Sequence, residues 1–163
     1  MIAVPIALYL LRHLGARAAV AAALVALAFL IPAALPAPPR ATAATDGFWR
    51  PFDPAAIQKL VSEGHTVFVD VTAEWCLTCK LNERLVIDTP SVRRRLAAEG
   101  VVAMRADWTR PSGEIERYLQ GFGRYGIPFN AVYGPALPQG LALPELLTPE
   151  AVASALDQSR KGG

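Results

Sequence analysis

The sequence predicts an α/β domain with a mixed β-sheet at its centre, preceded by an apolar N-terminal segment. Two observations predict the domain. Apolar and β-branched runs alternate with stretches of helical spacing, and the chain closes with a hairpin and a final helix. Strands and helices that alternate in this way form a sheet covered by helices. A third observation, the absence of charge from Ala18 to Pro39, predicts the N-terminal segment.

Each predicted element has a local signal. Asp53, Ser91 and Thr148 stand where they can cap helices, and Pro144 marks the last strand as an edge strand. Gly and Pro clusters separate the elements. The predicted helices are 52–64, 80–87, 91–100, 111–122 and 148–160; the predicted strands are 66–71, 101–108, 127–133 and 141–146, with a turn at 135–140.

The N-terminal segment predicts export from the cytoplasm. Arg12 and Arg17 precede an apolar run from Ala18 to Leu35, close to the roughly 20 residues that a spanning helix needs. We predict a membrane anchor or signal at 1–35, a Pro/Ala/Thr linker at 36–47 and the α/β domain at 48–163. The alternative is a cleaved signal peptide, with "ATA" at 41–43 as the cleavage site. In both cases the arginines favour the cytoplasmic side, which places the domain outside.

The charge distribution argues against a nucleic-acid partner. From Asp46 onward the chain carries 13 basic and 14 acidic residues, a net charge of −1, while the leader carries +3. The sequence pI of about 8.7 therefore reflects the leader. The domain has no basic face of the kind that binds phosphates.

Cys76 and Cys79 are the only cysteines in the chain, and they lie where a strand turns into a helix. Structural zinc needs four ligands, and His65 is the domain's single histidine. Covalent haem requires histidine directly after the second cysteine, where this chain has Lys80. A static disulfide across two residues closes a very small loop and stabilises little. Redox exchange fits this spacing better than these three alternatives.

Thiol chemistry assigns different roles to the two cysteines. Helix amides point at a cysteine that begins a helix, which stabilises the thiolate that attacks a disulfide. Cys76 is therefore the predicted attacking thiol, and Cys79, one turn later, the resolving thiol. Trp75 is predicted to lie beside the site as a substrate contact, although a packed aromatic at a strand end is equally compatible with the pattern.

The residues around the cysteines resemble thioredoxins. The stretch "VFVDVTAEWCLTCK" is similar to their active-site strand and helix start, and "GIPFNAVY" is similar to the segment with their cis-proline. "WCLTCK", the following "NER" and the later "RADWT" resemble more narrowly the C-terminal thioredoxin-like domain of DsbD and ScsB-type membrane thiol:disulfide interchange proteins. That resemblance implies a thioredoxin-like fold after a transmembrane helix. This sequence lacks the bulk of the electron-conducting membrane domain and the N-terminal periplasmic domain of those proteins, so we expect a fragment, a split subunit or a small anchored relative.

The resemblance also implies further site residues. Asp70 falls at the position of the buried strand acid of thioredoxins, and Glu83 matches a second acid of the DsbD branch. Ile127 and Pro128 would form the cis-proline segment that contacts the substrate chain. A buried carboxylate near a thiol raises both pKa values, and it can carry the proton of Cys79. The alternatives are a structural acid at Asp70 and a solvated helix face at Glu83.

The expected function is protein-disulfide reduction in the periplasm by a domain tethered to the bacterial inner membrane. The cysteines carry the electrons, so we expect no bound organic cofactor and no metal. A membrane-embedded dithiol protein would supply electrons, and the clients implied by the resemblance are disulfide isomerases and cytochrome c maturation factors. Two alternatives stay open: a dithiol oxidase of the same fold, and a copper-binding module that uses the thiols as soft ligands.

Overall fold

A computed structural model describes residues 20–21 and 48–160. The chain divides into two units, 1–41 and 42–163. The anchor predicted at 1–35 lies outside the described residues except for 20–21, and the linker predicted at 36–47 lies outside them entirely. No helix within the described ranges is long and apolar enough to cross a bilayer.

The described domain is a five-stranded mixed sheet with helices on both faces. The elements in chain order are β1 Arg50–Pro51, α1 Pro54–Ser62, β2 Thr66–Thr72, α2 Leu77–Asn82, a π-helical turn Glu83–Ile87, α3 Pro90–Leu96, β3 Val101–Asp107, α4 Gly113–Gly121, β4 Phe129–Gly134, β5 Leu137–Ala142 and α5 Pro149–Arg160. The strand order is β1-β3-β2-β4-β5. Strands β1, β3 and β2 are parallel, while β4 runs antiparallel to β2 and to β5.

Most predicted elements are confirmed, with their ends displaced. The Asp53 side chain caps α1, and the Thr148 hydroxyl accepts a hydrogen bond from Ala151 N at the start of α5. The cap predicted at Ser91 is wrong, because α3 begins one residue earlier and Thr89 takes the cap position. β1, a two-residue edge strand, has no apolar run that would have predicted it.

The last hairpin differs most from the prediction. The predicted turn at 135–140 and strand at 141–146 are replaced by β5, which begins at Leu137. Pairing with β4 sets this position, since Gly134 lies opposite Leu137. An edge strand tolerates Pro138 because one side of its backbone needs no partner. Gly140 has φ of +82°, and a side chain there would meet the ring of Tyr133.

The two faces of the sheet carry separate apolar cores. Along β2, Val67, Val69 and Val71 point to the face covered by α1 and α4. Phe68 points to the other face, where it packs with residues of the π-helical turn, α3 and α5. Side chains alternate along a strand, so Asp70 shares the face of Phe68. That face also carries α2, the helix that follows the cysteines.

Candidate active site

Cys76 and Cys79 form a disulfide at the start of α2. Cys76 occupies the cap position, and the backbone N–H of Cys79 donates to Cys76 Sγ at 3.2 Å. Cys76 is 6% exposed and Cys79 2%, so Cys76 is the more accessible residue of the pair. A helix amide that points at Cys76 stabilises negative charge on its sulfur. The geometry fits the attacking role predicted for Cys76.

The loop before the disulfide is held by the segment after β3. The indole N–H of Trp75 donates to the carbonyl of Thr109 at 3.2 Å, and the Glu74 amide donates to the Thr109 hydroxyl oxygen at 3.0 Å. The Thr109 hydroxyl in turn donates to Asp107. Trp75 is 63% exposed, so its ring is anchored at one edge and open to solvent. This anchored, exposed ring is compatible with the predicted substrate contact.

The Ile127–Pro128 peptide is cis, as the resemblance implied. Ile127 packs against the small cluster formed by Ala73, Cys76 and Cys79. The segment that precedes β4 therefore lies beside the disulfide. The contact of Ile127 and Pro128 with a substrate chain stays a prediction.

Asp70 is buried on the sheet face that carries α2, and two side chains bind its carboxylate. Arg105 Nε donates to Oδ2 at 3.1 Å, and Nη2 forms an ion pair with the same oxygen at 3.0 Å; Asn130 Nδ2 donates to Oδ1 at 2.9 Å. Both partners stand directly opposite Asp70 in the sheet, Arg105 on β3 and Asn130 on β4. The Arg105 guanidinium also stacks on the ring of Trp49, 4.0 Å from its centroid.

Burial raises the pKa of the Asp70 carboxyl above its usual range. The Arg105 guanidinium opposes this rise, the charge of Glu83 adds to it, and the hydrogen bonds from Asn130 and Arg105 lower the pKa again. Desolvation is the largest of these causes, so the net direction is upward. Asp70 therefore takes up a proton more readily than an exposed aspartate.

Glu83 is also buried, which contradicts the alternative of a solvated helix face. Its Oε1 accepts a hydrogen bond from the Thr72 hydroxyl at 2.6 Å, and its Oε2 forms an ion pair with Lys80 Nζ at 3.0 Å. Glu83 opens the π-helical turn, where Asp88 N bonds to Glu83 O instead of the usual carbonyl one residue later. Thr72 ends β2, so Glu83 and Asp70 lie on one face of the sheet, and their charges interact.

Each buried acid thus has its own cation, a feature that the sequence did not indicate. Arg105 forms an ion pair with Asp70, and Lys80 forms one with Glu83. Arg105 could have been found as the one charged residue inside the otherwise apolar stretch "VVAMRA" of β3. Asn130 gives a similar signal in β4. Because each acid is paired with a cation, the two acids repel negative charge on the sulfurs less than two unpaired carboxylates would.

Replacement of Thr72 by valine is expected to destabilise the fold by about 1–2 kcal/mol, since a buried carboxylate oxygen loses a donor. Lys80 stays bonded to Glu83, which limits the loss. Thr72→Ser, which keeps the hydroxyl, is the matched control and should lose less. Urea unfolding of both variants measures the difference; an equal loss in both would show that the hydrogen bond to Glu83 contributes nothing to stability.

The family model described as thioredoxin-like matches residues 49–135, more than half of the chain. This chain belongs to the thioredoxin-like family. The match runs from just before β1 to the end of β4, so it contains both cysteines and the cis-proline. The thioredoxin-like fold predicted from the sequence is therefore confirmed.

Part of this chain is similar to curated proteins named DsbD. The chain is 34% identical over 73 residues to the thiol:disulfide interchange protein DsbD of Ralstonia nicotianae, covering 45% of this chain. It is 31% identical over 81 residues to DsbD 1 of Pseudomonas aeruginosa, covering 50% of this chain. The matches span only 12% and 13% of those relatives. The similarity is therefore to part of each DsbD relative, and this chain carries the Cys76–Cys79 disulfide within its own thioredoxin-like domain.

Solved structures show the same fold. The oxidised C-terminal domain of DsbD from Neisseria meningitidis superimposes with a TM-score of 0.53 at 22% identity, covering 65% of this chain and 91% of that one. A thioredoxin from Thermus thermophilus gives a TM-score of 0.52 at 24% identity, covering 71% of this chain and 90% of that one.

Within the described residues, no group of three or more His, Cys, Asp or Glu side chains could hold a metal ion.

Proposed function

We propose that this chain is a periplasmic protein-disulfide reductase tethered to the bacterial inner membrane. The observation that carries the proposal is the Cys76–Cys79 disulfide at the start of α2, on the sheet face that buries Asp70 and Glu83. Likeness to DsbD proteins supports the same chemistry.

The reaction transfers two electrons from the reduced dithiol to a partner disulfide. The Cys76 thiolate attacks one sulfur of the partner, a mixed disulfide forms, and the partner's other sulfur leaves as a thiolate. Cys79 loses its proton and attacks the Cys76 sulfur, which releases the second partner thiol. The product is the Cys76–Cys79 disulfide. The cysteines carry both electrons, so the reaction needs no bound organic cofactor and no metal.

Asp70 and Glu83 serve the second attack in this proposal. Cys79 is buried, so its proton needs an acceptor inside the protein. The raised pKa of the Asp70 carboxyl makes it a suitable acceptor, and its hydrogen bonds to Arg105 and Asn130 hold it in place. Glu83, bonded to Thr72 and Lys80, adds negative charge on the same face. Negative charge there opposes accumulation of a resting thiolate, which suits a donor rather than an oxidant.

The membrane tether and the partners follow from the leader and the DsbD resemblance. The apolar run from Ala18 to Leu35 would hold the chain in the membrane, and the linker at 36–47 would let the domain reach other proteins. A membrane-embedded dithiol protein would return electrons to Cys76–Cys79. Disulfide-containing periplasmic proteins would be the clients, with Trp75, Ile127 and Pro128 in contact with the client chain.

The reduction potential of the Cys76–Cys79 pair tests the direction of electron flow. Equilibration of the full chain against glutathione, followed by thiol trapping and mass spectrometry, gives the value. A reductase should lie near the thioredoxin potential of about −270 mV, whereas a value near about −120 mV would make the protein an oxidant and overturn the proposal. Copper that stays bound through gel filtration, without disulfide-reducing activity, would favour the copper-binding alternative.

A further inference from the structure

Three exposed leucines form a row that starts inside the active site. Leu77, Leu81 and Leu85 are 76%, 47% and 67% exposed, and they follow one another at intervals of four residues. Leu77 and Leu81 lie on α2, where residues four apart share one side of the helix. Leu85 follows in the π-helical turn that continues α2. Leu77 stands between the two cysteines. We call Leu77, Leu81 and Leu85 the leucine row.

The leucine row is held in its exposed position by the opposite side of the helix. Asn82 uses both ends of its amide: Nδ2 donates to the Glu145 carbonyl at 2.7 Å, and Oδ1 accepts from Leu147 N at 3.1 Å. Cys79 and Val86 are buried on that same side. Rotation that would bury the row would break these contacts. Single exposed leucines are common on protein surfaces. Three neighbouring ones beside a disulfide form an apolar patch, and such patches mark sites where another molecule binds.

The position of the row indicates what covers it. At the α-helical rise of about 1.5 Å per residue, Leu81 lies about 6 Å along α2 from Leu77, and Leu85, in the π-helical turn, lies no more than about 12 Å from it along the helix. A protein interface of about 800 Å² on each side has a radius of roughly 16 Å. An interface of that radius centred on Cys76 covers the whole row. Lipid or a second copy that stayed on Leu77 would close off the disulfide, so the occupant must arrive and leave with each reaction.

We propose that the leucine row is a docking surface for an aliphatic segment of the disulfide-carrying partner protein, next to the partner's reacting cysteine. This inference rests on the proposed disulfide exchange and adds the chemistry of the partner's segment. Burial of leucine side chains favours association, and the gain is largest when the partner is also aliphatic. The row therefore selects partners by the residues that flank their cysteine.

Two synthetic peptides test this selection. The protein is the reduced full chain, with one copy in each lipid nanodisc. Each peptide carries one cysteine in a disulfide with thionitrobenzoate; leucines flank that cysteine in one peptide and serines in the other. Attack by Cys76 releases thionitrobenzoate, and Cys79 then frees the peptide thiol. We expect the leucine peptide to react about tenfold faster. The double variant Leu81→Gln/Leu85→Gln, which keeps helix propensity, should bring the ratio close to one.

Leu146→Gln is the matched control, because Leu146 is 69% exposed but lies outside the row. It should keep the tenfold ratio; loss of the ratio in this variant would overturn the proposal. Equal rates of the two peptides with the unaltered chain would also overturn it, as would be expected if lipid covers the row. Ellman's reagent is a small disulfide without flanking residues, so it distinguishes failure of the proposed disulfide exchange from failure of the leucine row. A reduced chain that does not react with it refutes the exchange chemistry itself, whereas normal reaction together with equal peptide rates refutes the leucine row alone.

Discussion

Replacement of Cys79 by serine is expected to turn the reduced protein from a catalyst into a trap for its partners. Cys76 keeps its place at the helix start, where the amide of residue 79 still points at its sulfur. The first attack therefore proceeds, but no thiol remains to break the mixed disulfide. Turnover of a disulfide substrate such as insulin should fall to background, and a covalent adduct should accumulate. Non-reducing electrophoresis and intact-mass spectrometry detect that adduct.

Cys76→Ser is the matched control for this prediction. It should lose turnover to the same degree and form no adduct, because Cys79 is almost fully buried and cannot reach a partner. The opposite pattern, an adduct with Cys76→Ser and none with Cys79→Ser, would reverse the assigned order of attack. Reduction by dithiothreitol should release the adduct of Cys79→Ser, which confirms that the link is a disulfide.

Replacement of Arg105 by methionine is expected to destabilise the fold by about 3 kcal/mol at alkaline pH, because it leaves the buried Asp70 carboxylate without its cation. The loss should shrink as the pH falls, since Asp70 can then take a proton and lose its charge. Part of the loss comes from the stacking of Arg105 on Trp49, and methionine retains some of that packing. Urea unfolding between about pH 5 and pH 9 measures this dependence.

The sign of the effect follows from the raised pKa of the Asp70 carboxyl. Between the unfolded pKa, about 3.9, and the higher folded pKa, the folded state binds a proton that the unfolded state has released. The free energy of unfolding therefore falls as the pH rises through that window. Above the folded pKa the loss of stability is complete and stays constant. Arg105 lowers the folded pKa, so its removal extends the window to higher pH.

Two further variants separate the charge of Arg105 from its packing. Arg105→Lys keeps a cation and should retain part of the stability at alkaline pH. Asp70→Asn removes the titrating group, so the fall in stability that Asp70 causes as the pH rises should disappear. If Arg105→Met lost the same free energy at every pH, the contribution of Arg105 would be packing alone, and Asp70 would not be the titrating partner.

Much of the active site could be predicted because its signals are local. The strand from Thr66 and the helix start at Cys76 follow from a β-branched run and the residues next to it. Burial of Asp70 was implied by the resemblance to thioredoxins, and the structure confirms that it is buried. The position of β5 was not predicted, because it depends on pairing with β4. This strand begins at Leu137, although its own first residues are typical of a turn.

The sequence by itself determined the cysteine pair and the family. The spacing of Cys76 and Cys79 at a strand–helix junction defines a dithiol, and the residues around it define the thioredoxin-like family. These features depend on neighbours along the chain, so they can be read without a structure.

The tertiary structure alone decided the electrostatics of the site. Arg105 and Asn130 lie 35 and 60 residues from Asp70, and only the register of three adjacent strands brings them to its carboxylate. Glu83 is buried because its helix packs on the end of β2 at Thr72. Charge pairing and burial act through space, so the pKa of a buried acid is set by contacts that the order of residues does not display.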